Sequence, residues 1–354
     1  MFKLEKLPPR FNFNTSEVLK KAIEANKALA ELKGYSDVIP NKNILLNAIT
    51  INEAKESSEI ENIITTHDEL YKALSTNESS KQAKEVVNYR TALWRGYERV
   101  KNNGFISTNM ILEVQKIIEQ NEAGIRKTPG TILKNERTEE VVYPPPANHS
   151  DIVDLMSNLE TYMNAEDNGY DYLIQLAVIH YQFESIHPFY DGNGRTGRIL
   201  NVMYLVLKGL LDTPILYLSS YINNHKADYY EGLQQVRDAS QWEPWVLFIL
   251  EGIEETSYNT LRIMKDINGL IEKMIEKVKT QLPKIYSKEL IDAIFYEFYT
   301  KIPYVEKGVG VTRKTAASYL NRLESAGFLT SKKVGRERIY LNKRLFDLMK
   351  KADF

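Results

Sequence analysis

Cysteine is absent from all 354 residues. That removes disulfide scaffolds, thiolate metal sites and cysteine nucleophiles at once, and it leaves imidazole chemistry to five histidines. Long apolar runs are missing too: no stretch reaches the roughly 18 apolar residues of a membrane-spanning helix. The amino terminus, MFKLEKLPPRFNFN, holds no apolar core of signal-peptide length. No membrane partner is therefore expected, and the expected location is cytoplasmic. Net charge is nearly missing as well, with 46 Lys and Arg against 47 Asp and Glu. At 43% hydrophobic and 26% charged residues the composition is globular, which excludes collagen-like and wholly disordered chains. The length suits about two domains, each able to bury a core without staples.

The near-neutral total hides an asymmetry. Residues 281–354 carry 15 Lys and Arg against 8 Asp and Glu, a net of +7, which leaves 31 against 39, a net of −8, for residues 1–280. The basic tail is a different kind of surface from the acidic body before it.

Over the first 280 residues apolar positions recur every three or four residues, as in Val86, Val87, Leu93, Trp94 and Tyr97, then Ile111, Leu112, Val114, Ile117 and Ile118. This is the helical period, and it predicts a mainly α fold. Two breaks interrupt it. Residues 124–146, GIRKTPGTILKNERTEEVVYPPP, hold two short β-prone runs, Thr131-Ile132-Leu133 and Val141-Val142-Tyr143, among Pro and Gly that a helix interior does not tolerate. They predict a β-hairpin flap. The second break, residues 186–195, is a glycine-rich turn between two strongly helical stretches.

That turn concentrates reactive chemistry: residues 187–198 read HPFYDGNGRTGR. Gly192, Asn193 and Gly194 open the next helix, where unpaired backbone N–H groups and the positive end of the helix dipole make a nest for phosphate. Arg195 and Arg198 project from its first turn and can add charge-assisted hydrogen bonds to phosphate oxygens. Asp191 is placed to hold Mg2+ against those oxygens. His187 supplies a general base near neutral pH. An alternative is a metal site, because His180, Glu184 and His187 stand four and three residues apart. Pro188 opposes it by steering His187 out of helical conformation and off that face. His180 and Glu184 then read as core residues supporting the turn.

With every fixed position of HxFx(D/E)GNGRxxR matched, the segment resembles the Fic family. The likeness extends upstream through HYQFESIHPF and downstream through KADYYEGLQQVR, which is similar to the family's nucleotide-side helix, and covers roughly residues 106–250. The flap lies where the family carries its target-docking hairpin. The resemblance implies transfer of AMP from ATP to a hydroxyl of a protein target. His187 would deprotonate the hydroxyl, Asp191 would hold Mg2+ on the α- and β-phosphates, and Gly192, Asn193 and Gly194 would cradle phosphates. Arg195 and Arg198 would bind the β- and γ-phosphates, Phe189 would anchor the loop in the core, and Tyr229 and Tyr230 would lie near the adenosine. Apart from any family, attack on a phosphoryl group needs in-line positioning, charge neutralisation and a base, and the segment offers all three.

Upstream, Ser57-Ser58-Glu59-Ile60-Glu61-Asn62 fits (S/T)xxxE(G/N), which marks an inhibitory helix in that family. Its place before the main motif resembles class II members. Ser57 and Glu61 share a helical face. The resemblance implies a Glu61 carboxylate on Arg198, in the place of the γ-phosphate. The plainer reading of SSEIEN is a solvated acidic helix start.

The basic tail reads as helix, turn, helix, from LIDAIFYEFYTKIPY and VTRKTAASYLNRLESAGFL, then two strands around Gly335. Leu320 and Leu323 give the second helix an apolar face, Gly327 is a C-cap, and Lys332, Lys333, Arg336 and Arg338 decorate a wing. This resembles a winged helix-turn-helix. Thr312, Arg313, Lys314 and Thr315 would face a DNA groove, with the wing on phosphates; a protein-docking winged helix is the alternative.

The expected architecture is mainly α: an N-terminal helical region with the inhibitory motif over residues 1–105, a Fic helical core with its flap over 106–280, and a winged helix domain over 281–354. The expected activity is protein adenylylation from ATP and Mg2+, held off by Glu61. Removal of AMP from a modified target and a DNA-binding regulator with a vestigial core are the rivals. Partners open to such a chain are a protein bearing a Ser, Thr or Tyr hydroxyl, the chain itself as target, DNA, and a second copy in a homodimer.

Overall fold

In a computed structural model, residues 4–39, 42–75, 80–128, 133–134, 141–297, 299–334 and 337–351 are described. The N-terminal third forms α1 (Ser16–Val38), α2 (Lys42–Ile60), α3 (His67–Ser75) and α4 (Lys81–Asn103), followed by α5 (Thr108–Glu119). Side-chain oxygens of Thr15, Ser80 and Ser107 accept backbone N–H groups that the first turns of α1, α4 and α5 leave unpaired. The flap follows as β1 (Leu133–Lys134) antiparallel to β2 (Val141–Tyr143). Thr131 and Ile132 of the predicted first run lie outside the described residues.

The body continues through α6 (His149–Asn164), α7 (Tyr172–Ile186), α8 (Asn193–Leu207), α9 (Leu218–Asn224), α10 (Lys226–Ala239) and the 40-residue α11 (Trp242–Gln281). Helix α7, LIQLAVIHYQFESI after its first tyrosine, is buried on all sides from Leu173 to Ile186, as a helix without a charged face must be. α6, α8 and α11 pack against it, with α1 running along α11. α2 fills the space between α4, α8 and α9. Buried apolar residues of these helices form one hydrophobic cluster, which continues into the tail.

The tail runs α12 (Lys288–Phe295), β3 (Tyr299–Lys301), α13 (Ile302–Val309), α14 (Arg313–Ser325), β4 (Thr330–Val334), β5 (Glu337–Leu341) and α15 (Lys343–Lys351), with a β3–β5–β4 antiparallel sheet. The stretch LIDAIFYEFYTKIPY is thus not one helix. Tyr299, Thr300 and Lys301 pair with Leu341, Tyr340 and Ile339, because β-prone residues next to an open sheet edge gain more from the ladder than from helix. Pro303 sits at the start of α13, where its missing N–H costs nothing. The tail is docked on the body: α15 packs on α11, Asn47 donates to the Tyr296 carbonyl at 2.9 Å, and Arg90 pairs with Glu297 at 3.0 Å. No helix among the described residues is long and apolar enough to cross a membrane.

Candidate active site

The site lies in the turn from α7 to α8. Helix α7 ends on His187, whose N–H still bonds the Phe183 carbonyl at 3.0 Å while its own backbone turns left-handed at φ 47°. Pro188 follows and stops the helix. Phe189 is fully buried beside Phe183, so the loop is pinned into the core. Asn193 does not present its amide to an open cradle. It donates to the Phe189 carbonyl at 2.9 Å and accepts from the Phe189 N–H at 2.8 Å, closing the loop on itself.

Two glycines are dictated by space and backbone. Gly192 caps α8 at φ 74°, and a Cβ there would also sit 2.5 Å from Glu119 Oε1. At Gly194 a Cβ would overlap Glu61 Oε1. A carboxylate therefore rests directly on the first turn of α8, at the end that attracts anions.

Glu61 comes just past the last residue of α2 and bridges both arginines: its Oε1 accepts from Arg198 Nη2 at 2.8 Å and its Oε2 from Arg195 Nε at 3.3 Å. Burial alone would raise its carboxyl pKa; the Arg198 and Arg195 guanidiniums outweigh burial and hold it below the usual carboxylate range. Arg198 also donates to Ser57 Oγ at 2.7 Å and to the Ser57 carbonyl at 2.8 Å. SSEIEN is therefore no solvated helix start, since Ser57 and Ser58 are fully buried.

The two arginines differ. Arg195, buried, meets Glu61, Glu85 at 3.2 Å and Glu119 at 2.6 Å. Its charge is matched within the protein even without Glu61, so it braces the site rather than offering a free cation. Arg198 has Glu61 as its hydrogen-bonded carboxylate. Sequence reading missed Glu85 and Glu119. One signal was present for Glu119: an acidic side chain at the last residue of α5 lies at the negative end of its dipole, a local conflict that marks a tertiary partner.

His187 is half-buried, and burial, then the Arg126 guanidinium, push its pKa down to about 4. It is neutral at physiological pH, as a proton acceptor must be. Asp191 is exposed and accepts the Gly192 N–H on Oδ1 at 2.8 Å. One exposed carboxylate beside a phosphate nest fits Mg2+, which takes few protein ligands and completes its shell with phosphates and water. The alternative metal site does not form. His180 has both ring nitrogens engaged, by Tyr229 at 2.9 Å and Asn201 at 3.1 Å, and the described residues contain no cluster of metal-ligating side chains. Burial pushes Glu184 up to about 7 and His180 down to about 3. Tyr229 is a core residue, 2% exposed and bonded to His180, so it offers no open face to a nucleoside; Tyr230 next to it is exposed.

A buried helical hairpin with a phosphate-type turn, a flap on one side and a carboxylate docked on its arginines defines a Fic-type fold and site. The chain matches three family descriptions: Fic/DOC family N-terminal over residues 19–98, Fic/DOC family over residues 105–205, and Protein adenylyltransferase SoFic-like, C-terminal domain, over residues 270–345. The protein belongs to the Fic family. Curated relatives include Protein adenylyltransferase Fic of Culex quinquefasciatus, 30% identical over 158 residues, 44% of this chain and 29% of the relative. The same-named protein of Aedes aegypti is 29% identical over 44% of this chain and 30% of its own length. The chain thus spans under a third of the length of these relatives. Among solved structures, a Fic family protein from Desulfovibrio desulfuricans superposes over 94% of this chain and 98% of its own, with a TM-score of 0.59 at 20% identity. A Fic domain containing signaling protein from Bacteroides thetaiotaomicron covers 67% of this chain and 96% of its own, with a TM-score of 0.55 at 17% identity. These two likenesses show a common fold.

Proposed function

We propose that the protein transfers AMP from ATP to a hydroxyl of a protein target and that Glu61 holds this activity off. The observation that carries the reading is the Glu61 carboxylate seated against Gly194 between Arg198 and Arg195. It stands in for a phosphate, so the site that holds it is an anion site with a neutral imidazole, His187, in the adjoining turn. His187 would accept the hydroxyl proton, Arg198 would hold the outer phosphates, and the first-turn N–H groups of α8 would fix the triphosphate in line. Asp191 would hold Mg2+, which supplies charge neutralisation on the phosphates. The flap, whose Tyr143 hydroxyl is tied to the Ser185 carbonyl at 3.0 Å, would present the target. The test is labelling of lysate proteins by a Glu61→Gly variant with ATP carrying its label on the α- or on the γ-phosphate. Protein labelled from the α position only is the expected outcome; label from the γ position would make the chain a kinase, and no label from either would refute transfer.

The tail supports a second, separate role. Its order is helix, strand, two helices, two strands and a last helix, and the pair α13 and α14 followed by β4 and β5 supports a winged-helix reading. We read Arg313, Lys314, Lys332 and Lys333, all exposed, as duplex-DNA contacts. Arg338 is engaged by Glu324 at 2.8 Å instead, and Arg336 lies outside the described residues.

A further inference from the structure

We infer that Arg126 is a positioning residue for His187: its buried guanidinium holds the histidine carbonyl and fixes the left-handed corner to both feet of the flap. The inference rests on the reading of His187 as the base.

Arg126 is 1% exposed. Its Nε donates to the His187 carbonyl at 2.8 Å, and its Nη2 donates to the Pro146 carbonyl and, at 3.4 Å, to the Ile186 carbonyl. Its backbone N–H donates to the Pro188 carbonyl at 2.9 Å, and its own carbonyl meets His149 Nδ1 at 2.9 Å. The consecutive carbonyls of Ile186, His187 and Pro188 are thus all held by one residue. Burying a guanidinium against carbonyls alone is costly, and Nη1 has no hydrogen-bond partner. What offsets the cost is the place. Ile186 and His187 end α7, so their carbonyls have no helical N–H to accept from, and a cation there meets the negative end of the dipole.

A plain C-cap would stop at α7. Arg126 goes further, because residue 126 precedes the hairpin and Pro146 follows it. One side chain therefore ties together the entry to the flap, the exit from the flap and the corner that carries the base. His187 at φ 47° is a conformation that non-glycine residues adopt only when surroundings impose it, at about 1 kcal/mol or more. Without the Arg126 bonds the corner is free to relax and the imidazole leaves the line of attack. The charged groups that bear on the His187 ring are Arg126 from the flap foot, Arg237 from α10, Glu61 from the end of α2, and the backbone at Glu184 of α7. Arg126 and Arg237 disfavour its protonation, and Glu61 favours it.

The experiment compares Arg126→Lys and Arg126→Gln, each in the active Glu61→Gly background. The measurements are ATP affinity by calorimetry, kcat and KM for α-phosphate transfer, and the His187 ring titration by NMR. A positioning role predicts ATP affinity within about twofold, KM for ATP unchanged and kcat down roughly 10- to 100-fold, a loss typical of misplacement by an ångström. It also predicts a higher His187 pKa in both variants, with Arg126→Lys nearer the parent because the charge is kept. Unchanged kcat with an unchanged ring pKa overturns the proposal. So does failure of both variants to fold, which would make Arg126 a cap of α7 and nothing more. If the Glu61→Gly protein transfers no AMP, the proposed activity fails, yet the ring titration still decides whether Arg126 governs His187.

Discussion

Replacing Glu61 by glycine should raise adenylylation and lower stability in the same protein. On the proposed function an incoming γ-phosphate would meet the Glu61 carboxylate that rests on Arg198, 2.8 Å from Nη2. Two unit charges about 4 Å apart at an effective dielectric of about 20 repel by ~4 kcal/mol, an upper bound near three powers of ten in rate. Glu61 has a quarter of its side chain exposed, so screening reduces the figure, and we expect activation on the order of 10²-fold. Arg195 keeps Glu85 and Glu119 after the change, and Arg198 keeps both Ser57 oxygens. Breaking a fully buried pair costs about 3–5 kcal/mol; with these remaining partners the loss should be nearer ~2 kcal/mol, a few degrees in melting temperature. Glycine adds little strain, because residue 61 lies beyond the last residue of α2. Initial rates of α-phosphate incorporation and thermal melts read the two signs. If Glu61→Gly is no faster than wild type, or Arg198→Ala is equally activated, the carboxylate is not what holds the site off.

His187→Ala should abolish transfer while calorimetry still finds ATP bound, because the phosphate cradle is untouched; comparable transfer by the mutant would remove His187 from the mechanism. Asp191→Ala should lose the dependence of transfer on divalent ion together with most of the rate, and activity that survives in chelator would refute its role. His180 and His187, pushed down to about 3 and about 4, stabilise the fold above their ordinary 6.5 and lose that contribution as pH falls. Glu53 and Glu184, each pushed up to about 7 from 4.5, stabilise below 4.5 and lose it as pH rises through 7. The two pairs oppose between pH 4.5 and 6.5, so Glu53→Gln should turn a nearly flat urea midpoint into one that rises with pH; a flat profile in the variant would contradict the Glu53 assignment. Duplex binding by the full chain should weaken with a log–log salt slope of about −3 to −4, the value for up to four phosphate contacts, and a slope near zero would favour a protein-docking tail.

The helical body, the flap and the turn at residues 187–198 were legible because each follows from local rules: the 3.6 period, Pro and Gly placement, and a helix N-terminus rich in glycine and arginine. Ser57 and Glu61 were legible only through resemblance, since a Ser/Glu pattern has no local property that says it is buried. The split of LIDAIFYEFYTKIPY escaped notice because the deciding partner, β5, lies some forty residues away. Arg126, Glu85 and Glu119 escaped for the same reason. Their partners are carbonyls and guanidiniums of the turn, and a single sequence does not print such distances. The Asn193 side chain was equally hidden, because its amide closes the loop on the Phe189 backbone.

The same long-range satisfaction explains why α2 docks in one register. Asn47, Thr50, Glu53, Ser57 and Glu61 recur at three and four residues, so they form one polar stripe on a helix whose other faces are largely apolar and buried. Their partners lie on α4, α9 and α8. Asn47 and Thr50 accept from Arg90 of α4 at 2.8 and 3.3 Å. Glu53 accepts from Tyr89 of α4 at 3.0 Å and from the Ser219 N–H of α9 at 3.1 Å. Ser57 and Glu61 meet the arginines of α8. Apolar packing alone would set the register less sharply, because Leu and Ile are of equal volume and exchange at modest cost at such contacts. A one-residue slip would instead turn the stripe by about 100° and bury five polar side chains without partners, at about 1–3 kcal/mol each. The stripe therefore acts as a register device, and the carboxylate at its end arrives at Arg198 because the four residues before it are already paired.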